Sequence, residues 1–129
     1  MKETSMRTPL RRVRGLGAAH SGTQQFWYQR VTAVAGIPLV IAAIVIAIGL
    51  LGRSHAAAVQ ILGSPLVAII MLLFIITIVY HMWIGMQEII IDYVHEDKLK
   101  LATLLANTFY CFAVAFACGY AILKLSFGV

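Results

Sequence analysis

Three apolar runs, Val31 to Gly52, Pro65 to about Tyr93 and Leu101 to about Leu125, leave this chain of 129 residues few ways to fold. A helix needs about 20 apolar residues to cross a hydrocarbon core of ~30 Å, and each run is long enough. Inside a bilayer no water can satisfy exposed backbone amides and carbonyls, so segments of this length must span as helices. The expected fold is therefore an all-α membrane protein with a basic tail over 1–30 and three transmembrane helices at about 31–52, 65–94 and 101–125. Composition agrees, because 61% of the residues are hydrophobic and 12% charged, where soluble domains carry about 25% charge. Nearly everything after Arg30 is used in spanning. A catalytic step that needs a large polar active site must then be supplied by a partner, and the chain alone should catalyse nothing.

Local signals refine the element ends. Ser64-Pro65 reads as an N-cap followed by proline at the first helical position, where its missing N–H is harmless. The stretch Asp92-Tyr93-Val94-His95-Glu96-Asp97-Lys98 is too short for anything but a tight link, which makes the second and third helices antiparallel neighbours. Pro38 removes one backbone donor and should kink the first helix or open a gap in it. Ala113, Ala117 and Ala121, with Ala115 and Gly119 beside them, form a small-residue stripe that permits close helix approach. Cys111 and Cys118 are two turns apart, ~10 Å along the axis, too far for a disulfide, and read as packing residues.

Basic residues set the orientation. Lys2, Arg7, Arg11, Arg12, Arg14 and Arg30 precede the first span and Lys98 and Lys100 follow the second, whereas the first connection holds Arg53 and the C-terminal end Lys124. The excess places the N-terminus inside, on the cytoplasmic or matrix face. The net charge of +5 is explained by this topology and by anionic lipid, so nucleic-acid binding is not expected. A signal peptide is not expected either, since the apolar run after the tail is about twice a usual h-region. The tail lacks the serine enrichment of a transit peptide, and Leu10, Val13 and Leu16 would let it lie along the membrane surface.

Ionisable groups inside the bilayer are expensive and mark function by default. His81 lies within the second span, and Asp92 eleven residues on falls within about 20° of the same helix face and roughly 16 Å further along the axis. Glu88, seven residues from His81, shares that face. A buried histidine can serve as a hydrogen-bonded packing residue or, as neutral imidazole, as an axial ligand of haem iron. Gly85, one turn along, would leave room for a flat macrocycle, with Trp83 on another face. Because His20, His55 and His95 lie outside the spans, a six-coordinate haem would take its second ligand from another subunit. Arg30 is either a snorkelling cation or a partner for a haem propionate. Asp92 and Tyr93 form either an interfacial anchor or a quinone headgroup site, Tyr93 donating to a carbonyl oxygen. Glu88 is either paired with a basic residue of another subunit or a proton relay, kept protonated by desolvation.

The segment His81-x-Trp83-Ile84-Gly85-Met86 followed by Asp92-Tyr93 resembles the second helix of the small hydrophobic membrane anchor of succinate dehydrogenase (complex II). The approach from Ser21-Gly22-Thr23 through Phe26-Trp27-Tyr28-Gln29-Arg30-Val31-Thr32-Ala33 is similar to the alphaproteobacterial branch of that family. The resemblance implies haem b on His81 and ubiquinone at Tyr93, and extends to Arg30 at the haem and Asp92 at the quinone. It also implies a second membrane anchor subunit (cytochrome b556-type) giving the other haem ligand, with an iron–sulfur subunit and a flavoprotein subunit that oxidises succinate. The location implied is the bacterial inner (cytoplasmic) membrane, or the mitochondrial inner membrane. The competing class is a non-redox scaffold or ion-transport accessory subunit whose His81, Glu88 and Asp92 stripe conducts protons.

Overall fold

The computed structural model describes Thr8, Leu10 and residues 22–128. Four helices follow in order: α1 (Gly22–Leu50), α2 (His55–Leu62), α3 (Pro65–Tyr93) and α4 (Asp97–Phe127). α1, α3 and α4 are each long and apolar enough to cross a membrane. The three-helix membrane architecture expected from the apolar runs is thus observed. Apart from Thr8 and Leu10, the tail residues before Gly22, with most of the basic cluster and the surface role expected of Val13 and Leu16, lie outside the described residues.

The ends depart from expectation in instructive ways. α1 begins at Gly22, not Val31, so the boundary drawn at residue 30 falls inside a continuous helix that also passes through Pro38. It stops where Gly52 adopts a positive φ of 72°, a left-handed turn that favours glycine. The first connection carries the short helix α2, capped by Ser54, whose Oγ accepts from the Ala57 N–H at 3.4 Å. Ser64 does not cap α3 through its side chain. Its hydroxyl instead donates to the Ile61 carbonyl at 2.8 Å, leaving Pro65 to set the helix start. The link between α3 and α4 is only Val94-His95-Glu96, because Asp97 enters the first turn of α4, where an acid offsets the helix dipole.

α3 is the central element, packed on one side by α1 and on the other by α4, with α2 against the C-terminal end of α4. The buried core is small: Ala68, Ile75 and Val79 of α3 meet Cys111 and Ile122 of α4, with Trp83, Val114, Ala115 and Cys118 packed around them. Both cysteines are free, as expected of packing residues. The stripe Ala113, Ala117 and Ala121 is exposed, so it does not make the α3–α4 contact; the next residues round the helix do. Polar ties reinforce that contact. Trp83 Nε1 donates to Thr108 Oγ1 at 3.1 Å and Asn107 Nδ2 donates to the Trp83 carbonyl at 3.1 Å. Trp83 therefore lies in the α3–α4 contact rather than on a free face.

Candidate functional site

The N-terminal half of α1 carries Gln25, Gln29 and Thr32 at helical spacings of four and three, hence on one face. That face meets the C-terminal half of α3. Gln25 Nε2 donates to Gln87 Oε1 at 3.3 Å, and Thr32 Oγ1 lies 2.9 Å from His81 Nδ1. Between these two contacts the helices come close. A Cβ built on Gly85 would stand 3.2 Å from Gln29 Nε2, tighter than nearly all such contacts. The tip of the flexible Gln29 side chain therefore rests against Gly85.

A cleft of about 640 Å³ opens between the two helices, lined by Gln25, Phe26, Gln29, Arg30, Ala33, His81, Glu88 and Ile91. Three residues singled out in the sequence, His81, Arg30 and Glu88, thus share one wall system. The Arg30 guanidinium sits 4.3 Å from the centre of the Phe26 ring, a cation–π contact that holds it at the cleft edge. Arg30 and Glu88 make no ion pair among the described residues, so both side chains remain available to a group entering the cleft. Gln29 Oε1 is buried with no hydrogen-bond partner among the described residues, and a buried acceptor left unpaired is destabilising by roughly 1–3 kcal/mol.

Asp92 and Tyr93 stand apart from this cleft. Both are exposed at the end of α3, Tyr93 at 77%, and neither lines it. Their side chains face outward, where a partner or lipid would cover them. On the opposite side of α3, an entirely apolar groove of about 330 Å³ runs along Ile76, Val79, Tyr80, Trp83, Cys111, Phe112 and Ala115. Tyr80 joins the two sides, edge-on to Tyr28 with ring centres 6.2 Å apart and tilted against Trp83 at 5.6 Å.

His81 is half-buried. Its Nδ1 is engaged by Thr32, and its Nε2 has no hydrogen-bond partner among the described residues. No cluster of three or more His, Cys, Asp or Glu that could hold a bare metal ion occurs among those residues. The arrangement suits a prosthetic group that brings its own equatorial ligands and asks the chain for one imidazole. The unpartnered Gln29 carbonyl oxygen and the unpaired Arg30 guanidinium give such a group polar and cationic contacts on the same cleft wall, so the residues present fit a haem. Thr32, Gln25 and Gln29 are the members that sequence reasoning missed; their polar spacing of four and three within an otherwise apolar approach is the signal that would have found them.

Comparison with known proteins places the chain in context. A family model described as the succinate dehydrogenase/fumarate reductase transmembrane subunit matches residues 4–115. The chain is also similar to the succinate dehydrogenase hydrophobic membrane anchor subunit of Paracoccus denitrificans, 31% identical over 121 residues, covering 94% of this chain and 93% of the relative. No solved structure gives a significant match.

Proposed function

The chain belongs to the succinate dehydrogenase/fumarate reductase transmembrane subunit family, and from that premise we propose that it helps bind haem b and ubiquinone while docking an iron–sulfur and a flavoprotein subunit to the membrane. The observation that carries the proposal is the cleft between α1 and α3 in which His81, Arg30 and Glu88 converge. A non-redox scaffold needs no such convergence.

The roles follow from the chemistry of each side chain. His81 would hold the haem iron as one axial ligand, and Arg30, with its charge free at the cleft edge, would pair with a propionate. A haem held there would supply one-electron transfer chemistry to the complex. Because the chain offers a single span histidine, the second anchor subunit (cytochrome b556-type) would supply the other axial ligand. Tyr93 O–H would donate to a quinone carbonyl in a pocket closed by partner subunits, which accords with its exposure here, and Asp92 would order water or an arginine beside it. Glu88 lies about one turn deeper on the cleft wall, and would relay one of the two protons that quinone reduction consumes. The location proposed is the inner membrane of a bacterium. Succinate is oxidised on the flavoprotein, not here.

The test is His81→Ala in the purified complex. Loss or gross perturbation of the low-spin b-type spectrum is expected, since one axial position is left open. An unchanged reduced-minus-oxidised spectrum would remove His81 from the site.

A further inference from the structure

Thr32 stands at the centre of three contacts that together decide which nitrogen of His81 carries a proton. Its Oγ1 lies 2.8 Å from the Tyr28 carbonyl, 3.1 Å from the Gln29 carbonyl and 2.9 Å from His81 Nδ1. A hydroxyl has one hydrogen to give and two lone pairs. The two carbonyls can only accept, so the hydrogen that makes the back-bond to the preceding turn of α1 is spent on them, as is usual for threonine inside a helix. What Thr32 then turns toward α3 is a lone pair. With the threonine hydrogen committed to those carbonyls, Nδ1 takes the donor part in the 2.9 Å contact and Nε2 keeps its lone pair outward. A neutral imidazole held in that tautomer is ready to ligate.

We propose that Thr32 is a positioning residue for His81: by accepting from Nδ1–H it fixes the ring's tautomer and orientation and makes Nε2 a stronger donor to iron. The inference rests on the reading of His81 as a haem ligand and extends it to a residue on another helix. Rigidity supports it. Thr32 sits on helical backbone, and one turn before it Gln29 packs against Gly85, one turn beyond His81, so the helix spacing that the short contact needs is itself set by packing. A hydrogen bond at the distal nitrogen of a ligating histidine raises ligand basicity. Greater basicity stabilises ferric over ferrous iron, and removing the acceptor should therefore raise the midpoint potential.

The experiment is a redox titration of the haem in the intact complex for Thr32→Val, which keeps the branched shape and deletes the hydroxyl, and for Thr32→Ser, which keeps the hydroxyl. A raised potential in Thr32→Val with the wild-type potential in Thr32→Ser is the expected result. An unchanged or lowered potential in Thr32→Val, or an equal shift in both variants, overturns the proposal, because the effect would be absent or one of packing. Thr32→Ala makes the same comparison if Thr32→Val does not assemble. The spectrum of His81→Ala judges the ligand reading separately: if it stays wild-type, the ligand assignment fails first; if it is lost while Thr32→Val titrates normally, only the role of Thr32 fails.

Discussion

At the scale of single residues the proposed site divides into an inner part that this chain builds and an outer part that would be completed by a covering surface. His81, Thr32, Gln29 and Glu88 meet across α1 and α3, whereas Tyr93 is 77% exposed and waits for a covering surface. The two parts should fail differently. Tyr93→Phe deletes one hydroxyl and little volume, so quinone reduction should weaken by on the order of 1 kcal/mol in transition-state binding while succinate oxidation by a soluble dye is unaffected. Steady-state assays with both acceptors check this, and equal loss of both would indicate failed assembly. Glu88→Gln keeps the shape of the cleft wall and removes a titrating proton. The rate with ubiquinone should fall and its pH dependence flatten; an unaltered pH profile would leave Glu88 a packing or pairing residue. His81, Arg30 and Glu88 were legible because charge at membrane depth stands out in a sequence. Thr32, Gln25 and Gln29 were not, because their importance comes from facing α3, and a neutral polar residue near a helix start carries no charge to mark it.

Elements were legible where apolar length decides them and less so where packing does. The body of α3 follows from an uninterrupted apolar run, and proline at its first position fixes the start. α1 extends back to Gly22, where Gln25 hydrogen-bonds Gln87 and Gln29 packs against Gly85 on α3, a gain that no hydropathy pattern shows. α2 was missed for a related reason, since eight residues cannot hold a helix unaided and this one is held by its cap and by α4. The closest approach lies at its end, where a Cβ on Gly63 would stand 2.7 Å from the Leu125 carbonyl oxygen and 3.0 Å from that of Val59. Both are backbone atoms and cannot swing aside. Gly63→Ala should therefore push α2 off α4 and destabilise the chain by about 1–3 kcal/mol, read as a lower midpoint of thermal unfolding in detergent. Gly49→Ala, in open space within α1, is the matched control and should leave that midpoint unchanged or slightly raised.

For the whole molecule, the three helices leave broad apolar faces for lipid or a partner to cover. α1 contributes no residue to the buried core, and α4 presents Phe109, Phe112, Phe116 and Tyr120 outward, each more than half exposed. Lipid can cover apolar side chains, but it cannot complete the ligand set of the haem proposed for the cleft. His55 opens α2 and His95 lies in the link after α3, so neither can reach the depth of His81, ~16 Å inside the end of α3. A single imidazole on a cleft open between α1 and α3 should bind haem weakly and in a high-spin form. Expressed alone and purified in mild detergent, the chain should accordingly lack the sharp low-spin bands of a bis-liganded b-type haem, and co-expression with the second membrane anchor should restore them. Optical spectra of the two preparations decide the matter. Low-spin haem in the solitary chain would mean that this sequence supplies both axial ligands itself, and the shared site between two subunits would have to be abandoned.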